Sequence, residues 1–236
     1  ESGKKVLGKG SFGKVRLARN LDTGEVVAVK KIVGERGIGI CKEETKTQAE
    51  LARSSEHVLD IHGSLETKNS KGVETEYIFM DLAKGCDGFD LIRNLLPSAS
   101  SRFTSTFSKE AKETLHAFQR AMIDAVLDAH EHGVAHCDLK PENTIVTKKG
   151  ELFLIDFGFS MKKDESSTIR QGTRTYAAPK IASGHPYSPE KADLYALGVS
   201  LVDAELGNAN PFKQRHYDSS YPEDFSTAIE TIRRKN

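Results

Sequence analysis

The sequence predicts an α+β fold, with antiparallel strands up to about Met80 and mainly helices after it. Short β-branched runs separated by glycine-containing turns fill the first part, and this pattern is typical of hairpins. From Ala111 onward, apolar residues recur at steps of three and four, which is the period of an amphipathic helix. A length of 236 residues allows one large domain or two lobes that share a core.

Seven short runs predict the strands, because each is β-branched or aromatic and is bounded by turn residues. They are residues 6–7, 15–18, 26–29, 58–61, 77–80, 144–146 and 152–155. Residues 68–72 form the expected turn between the fourth and fifth strands. The strands of the first part are therefore expected to pair as antiparallel hairpins.

Three apolar stripes predict the helices. A weak stripe covers residues 42–55 and a short one covers residues 89–96. The clearest helix has Ser108 as its expected N-cap and Gly133 as its C-terminal stop. Its apolar face consists of Ala111, Leu115, Phe118, Met122, Ala125 and Ala129. We expect this face to pack on the core.

Composition and charge exclude several classes of protein. The 34 basic residues balance the 34 acidic ones, so no global field attracts nucleic acid or an anionic membrane. No apolar run approaches the ~20 residues that span a bilayer. Cys41, Cys86 and Cys137 are odd in number and widely spaced, which favours free thiols in a reducing, cytoplasmic setting. We therefore expect neither a nucleic-acid partner nor a membrane span.

A glycine-rich loop and a lysine stand in the first part. Residues 8–15 read G-x-G-x-x-G-x-V between two predicted strands, so their backbone can close over phosphate groups. An ordinary glycine-rich hairpin is the alternative. Lys30 ends an apolar strand. It is either a surface residue whose aliphatic stem is buried or a positive charge that pairs with phosphate oxygens.

Two further motifs follow the long helix. Residues 136–143 read HCDLKPEN, and residues 156–158 read DFG at the end of the next hairpin. The oxygens of Asn143 and Asp156 are of the kind that magnesium prefers. Asp138 then remains to orient a hydroxyl group. The order of all these motifs along one chain is far more specific than any one of them.

From Gly8 to about Phe212 these motifs resemble the eukaryotic-type protein kinase family in its serine/threonine branch. The resemblance implies a bilobal fold, with an N-lobe of antiparallel strands in residues 1–82 and a mainly helical C-lobe in residues 83–236. It implies transfer of the γ-phosphoryl group of ATP, with Mg²⁺, to serine or threonine hydroxyls of a protein substrate.

Roles for individual residues follow from the same resemblance. Asp138 is the implied catalytic base, Lys140 touches the γ-phosphate and Lys30 holds the ATP phosphates. Asn143 and Asp156 are the implied magnesium ligands. The implied nucleotide contacts are Gly8, Lys9, Gly10, Ser11, Phe12, Gly13, Val15, Ala28, Lys30, Met80, Asp81 and Ala83. Residues 172–179 correspond to the substrate-facing stretch, and Asp193 to the helix aspartate that braces the catalytic loop.

Two departures from the family pattern concern charge. Cys137 replaces the arginine that usually pairs with a phosphorylated activation loop, so we expect activity that does not require this phosphorylation. A small buried residue is the favoured interpretation of Cys137, and a reactive thiol is the alternative. The usual glutamate partner of Lys30 is also displaced. Counting back from the apolar residues that follow this glutamate in the family puts Gln48 at the glutamate position. Glu44 and Glu50 are the alternatives.

Two more departures concern the C-lobe. Lys180 replaces a family glutamate, and few residues follow it, so we expect a shortened C-lobe whose lower surface is either repacked or covered by a regulatory protein partner. This length is loosely similar to that of bacterial effector kinases delivered into host cells. A pseudokinase scaffold that binds nucleotide or a partner, and a small-molecule phosphotransferase, are the alternative functions.

Overall fold

A computed structural model of the protein describes residues 2–10, 13–95 and 108–206. An antiparallel sheet with one helix forms the first part, and the second part is mainly helical with two small sheets. The predicted α+β fold with two lobes is therefore confirmed. Within these residues, no helix is both long enough and apolar enough to cross a bilayer.

The large sheet has five strands in the order β1-β2-β3-β5-β4, and every neighbouring pair is antiparallel. The strands are β1 (Ser2–Gly10), β2 (Gly13–Arg19), β3 (Val26–Val33), β4 (Ile61–Lys68) and β5 (Glu74–Met80). The strand expected over residues 58–61 is wrong in position, because β4 only begins at Ile61. Val58 instead forms an isolated bridge to Leu154 in the second part.

Helix α1 (Glu35–Ala52) is longer than the predicted helix and begins seven positions before it. The sequence hides this extension because Gly37 and Gly39 disfavour a helix. Ile38 and Cys41 are nevertheless buried against Ile32 of the sheet. This apolar burial outweighs the low helix propensity of the two glycines.

The second part contains four α-helices, one short 3-10 helix (Pro141–Asn143) and five short strands in its described residues. The helices are α2 (Gly88–Leu95), α3 (Lys109–Glu131), α4 (Pro179–Ser183) and α5 (Pro189–Leu206). The strands are β6 (Gly85–Asp87), β7 (Val134–Ala135), β8 (Thr144–Thr147), β9 (Leu152–Leu154) and β10 (Met161–Lys162). Strands β6, β8 and β9 form one sheet and β7 pairs with β10. The short predicted helix corresponds to α2, although its residue Leu96 lies outside the described residues.

Helix α3 has the ends that the sequence predicts. The Ser108 hydroxyl accepts a hydrogen bond from the Ala111 N–H at 3.1 Å, and Gly133 has a φ of 82° just after the helix. On the predicted apolar face Ala111 is partly buried. The other five residues are buried and pack in one core with Leu154 and Leu197, namely Leu115, Phe118, Met122, Ala125 and Ala129. The loops that follow α3 lie on this core.

We expect Ser108→Ala to lower the free energy of unfolding by about 1 kcal/mol, because the Ala111 N–H loses its acceptor. The thermal midpoint should fall by about 2–4 °C in a chain of this size. Ser108→Asp is the control, since its carboxylate also accepts from that N–H. Equal loss in both variants, measured by thermal melting, would show that the cap is not the cause.

Candidate active site

One buried carboxylate positions the loop that follows β7. Asp193 of α5 accepts hydrogen bonds from the backbone N–H groups of His136, at 2.6 Å, and Cys137, at 2.8 Å. Its third partner is the His130 ring, whose Nε2 lies 3.0 Å from Asp193 Oδ2. Asp193 is only 1% exposed, and these partners compensate the cost of burying its charge.

The carboxylate of Asp138 is the centre of the loop. Its Oδ2 accepts from Lys140 Nζ at 2.8 Å and from Asn143 Nδ2 at 2.9 Å. Its Oδ1 accepts from the Thr173 N–H at 2.6 Å. Lys140 Nζ also donates to the Thr173 hydroxyl at 2.6 Å, which joins the loop to the stretch expected to face a substrate. The carboxylate is thus oriented by three donors, one of them charged.

Asn143 and Asp156 have the chemistry of magnesium ligands. Asn143 Nδ2 also donates to the Asp138 carbonyl at 2.8 Å, and its Oδ1 accepts no hydrogen bond from any described residue. Asp156 lies after β9 with a φ of 66°, and its side chain is 18% exposed. Both residues therefore offer an oxygen to a hard cation, so the donor set fits Mg²⁺.

Lys30 forms its ion pair with Glu44, not with Gln48. Lys30 Nζ lies 2.5 Å from Glu44 Oε1 and 3.8 Å from Asp156 Oδ1. Burial acts to lower the pKa of Lys30, but the two carboxylates outweigh it, so the pKa is raised. The ammonium group is therefore held charged in a buried position between the sheet and Asp156.

Of the three candidates that the sequence left open, the structure selects Glu44, one helical turn before the position of Gln48 that the count gave. Gln48 is buried, but its Nε2 donates to the Leu59 carbonyl at 2.9 Å. Glu50 is exposed on the far side of the helix. The count relied on apolar residues near the end of α1, whereas the buried apolar residues that orient Glu44 lie earlier, at Ile38 and Cys41.

The expected nucleotide contacts lie along the first sheet. Gly8 pairs with Val15 and Gly10 with Gly13, so the glycine-rich loop joins β1 to β2. Ser11 and Phe12 lie outside the described residues, and Lys9 and Gly10 belong to β1. Strand register places Val15, Ala28, Lys30 and Met80 on one face, because cross-strand partners share a face. Asp81 and Ala83 follow β5 directly, and both are partly buried.

Cys137 is a buried residue with an unusual backbone conformation. Its φ is 62°, in the left-handed region that non-glycine residues rarely adopt. Burial raises the pKa of its thiol, and the nearby Asp193 carboxylate raises it further. A thiol in this state is a poor nucleophile, so the favoured interpretation, a small buried residue, is supported over a reactive one.

Contacts that the sequence did not predict hold the segment after Asp156. Ser167 and Tyr187 exchange two backbone hydrogen bonds of 2.9 Å, and the Tyr187 hydroxyl donates to the Ile169 carbonyl at 2.8 Å. Gln171 Nε2 donates to the Phe159 carbonyl at 2.7 Å. No local pattern marks these residues, because their partners come from distant parts of the chain.

Gly172 and Tyr176 place the end of this segment against the loop of Asp138. Gly172 has a φ of 84°, and a Cβ there would lie 2.5 Å from the Cys137 carbonyl. The Tyr176 hydroxyl donates to Asp203 at 2.9 Å, and burial raises its pKa, so it stays a donor at neutral pH. Lys180, expected at the lower surface, is exposed.

Comparison with known proteins agrees with this geometry. The model of the protein kinase domain family matches residues 2–236. The chain is similar to the maternal embryonic leucine zipper kinase of Xenopus tropicalis, with 32% identity over 86% of the chain and 29% of that protein. CBL-interacting protein kinase 28 of rice is 31% identical over 91% of the chain and 47% of its own length. The chain thus spans less than half of either relative.

We expect Glu44→Gln to lower the free energy of unfolding by about 3 kcal/mol, because it leaves the buried ammonium of Lys30 without its nearest charge partner. Glu50→Gln is the matched control, since Glu50 is exposed, and should change stability by less than about 0.5 kcal/mol. Urea denaturation measures both.

Replacing the ion pair together, in Lys30→Met/Glu44→Leu, should recover much of the lost free energy of unfolding. Equal effects in Glu44→Gln and Glu50→Gln would contradict the assignment of Glu44.

Proposed function

Because the chain belongs to the protein kinase domain family, we propose that it transfers the γ-phosphoryl group of ATP to serine or threonine hydroxyls of a protein. The observation that carries this proposal is the three-donor arrangement at Asp138. A carboxylate held in this way can accept a hydrogen bond from a substrate hydroxyl and point its oxygen at the phosphorus. Lys140 beside it supplies positive charge where the transferred group passes.

The remaining residues bind and orient the nucleotide in this proposal. Lys30 pairs with phosphate oxygens, and Glu44 holds its ammonium in place near Asp156. The glycine-rich loop covers the phosphates, and Ala28, Met80 and the residues after β5 contact the base. Asn143 and Asp156 would hold Mg²⁺, which neutralises phosphate charge when it is bound.

Activity without phosphorylation of the segment after Asp156 is also proposed. Cys137 carries no charge that could pair with a phosphate, and its thiol is buried. The segment is held instead by Ser167, Tyr187 and Gln171, which need no modification for their hydrogen bonds. A phosphate at exposed Ser166 or Thr168 would then add little order to this segment.

Lobe boundaries, location and partners are proposals as well. Residues 1–82 and 83–236 are the proposed lobes, with the boundary just after β5. Three free cysteines favour a reducing cytoplasm. A regulatory protein on the lower surface of the C-lobe would approach near Lys180, which is exposed there. Relatives named as serine/threonine kinases favour a protein substrate over a small molecule.

We expect Asp138→Asn to lower kcat by at least about a hundredfold, because the amide is a poor acceptor for the substrate hydroxyl proton. Nucleotide affinity should stay within about threefold of the parent. Asp164→Asn, an exposed position, is the control. Phosphoryl transfer to a generic protein acceptor and fluorescence binding of a nucleotide measure the two quantities. Nucleotide binding without transfer by the parent would instead favour a pseudokinase, and transfer only to small molecules would favour a small-molecule phosphotransferase.

We expect phosphatase treatment and the Ser166→Ala/Thr168→Ala variant to leave the initial rate within about twofold of the parent. Tyr187→Phe should lower the rate several-fold, because the Ile169 carbonyl loses its donor and the segment loosens. Mass spectrometry confirms the loss of phosphate before each rate is measured. A tenfold fall after phosphatase treatment would refute independence from phosphorylation.

A further inference from the structure

One face of the five-stranded sheet points away from α1, and its charged residues in β2–β5 are all basic. Lys30, Ile32 and Ile78 point toward α1, so by alternation their strand neighbours point the other way. We call this second surface the outer face. It includes Lys14, Arg16, Lys31, Val33, Leu65 and Tyr77. In strands β2–β5 no Asp or Glu lies on it.

A single row of side chains crosses four strands of the outer face. Lys14 pairs with Lys31, Lys31 with Tyr77, and Tyr77 with Leu65. Lys31 Nζ lies 5.5 Å from the centre of the Tyr77 ring. Leu65 is 53% exposed, and Val33, two positions beyond Lys31 in β3, is 56% exposed. Basic groups and exposed apolar groups thus lie side by side.

The positive charge of this row is not compensated within the described residues. Lys14, Arg16 and Lys31 form no ion pair there, although many other surface lysines do. Like charges directly opposite in neighbouring strands, as in Lys14 and Lys31, repel each other. The chain as a whole has no net charge, so this concentration is local. A bound group of negative charge would relieve the repulsion.

We propose that the outer face binds an acidic segment of a partner protein that carries leucine or other aliphatic side chains. Its carboxylates pair with Arg16 and Lys31, and its aliphatic side chains cover Leu65 and Val33. Nucleic acid fits less well, because stacking needs open aromatic faces and the Tyr77 ring is already covered by Lys31. A membrane surface also fits less well, because the chain has no tryptophan to anchor at an interface.

A fluorescein-labelled peptide that repeats Asp-Glu-Leu is a suitable probe, with an Asn-Gln-Leu peptide as its uncharged match. Fluorescence polarisation of the purified chain measures both affinities at low and high salt. We expect the acidic peptide alone to bind, and added salt to weaken it. Arg16→Glu/Lys31→Glu should lower its affinity at least about tenfold, and Leu65→Ser should lower it several-fold.

The control is Lys148→Glu/Lys149→Glu, which reverses two exposed lysines in the turn between β8 and β9. It should bind the acidic peptide within about twofold of the parent. Thermal midpoints of all variants exclude a loss of fold. The proposal is overturned if the parent does not bind the acidic peptide or if the control variant loses as much affinity. It is also overturned if single-stranded DNA or phosphatidylserine vesicles bind the parent more tightly than the peptide does, with the same loss in Arg16→Glu/Lys31→Glu.

Discussion

The buried carboxylate of Asp193 is the constraint on which the rest of the site depends. It accepts from two successive backbone N–H groups, at His136 and Cys137, and so fixes the turn that leads to Asp138. A single side chain rarely holds two neighbouring amides unless the backbone between them bends sharply. The left-handed φ of Cys137 then turns the chain directly after these two amides, and the strain is offset by the hydrogen bonds around it. The position of Asp138 is thus set from α5, far away in the chain.

A second constraint joins the two lobes through charge. Lys30 belongs to the sheet, Glu44 to α1 and Asp156 to the loop after β9, yet the three groups meet in one buried cluster. The ammonium is shared unequally, because Glu44 is much nearer than Asp156. Any movement of α1 away from the sheet would leave a buried charge without its partner. The active arrangement of the proposed enzyme is therefore stabilised by the same contact that orients its phosphate-binding lysine.

Hydrogen bonds take the place of the arginine charge that is lost at Cys137. Cys137 cannot pair with a phosphate, and the segment beyond Asp156 is anchored through Tyr187 and Gln171 instead. Such contacts are permanent features of the fold, whereas a phosphate contact depends on modification. This difference gives a physical reason for the proposed activity without phosphorylation, in a chain whose Asp138 and Asn143 remain in place.

The sequence by itself determined the elements whose signals are local. Ser108 and Gly133 mark the ends of α3, and a glycine-rich hairpin and an HCDLKPEN loop can be found from a few adjacent residues. The family and the α+β class follow from the order of such motifs. Periodicity also identified the buried face of α3, because a long amphipathic helix repeats its pattern several times.

Only the tertiary structure decided which residues meet across the chain. Glu44 is the partner of Lys30 because Ile38 and Cys41 pack α1 on the sheet, and counting along the sequence pointed to Gln48. The early start of α1 and the shift of β4 to Ile61 have the same origin. In each case burial against a distant element outweighed a local preference. Local preferences amount to about 1 kcal/mol or less per residue, and burial of an apolar side chain contributes more than that.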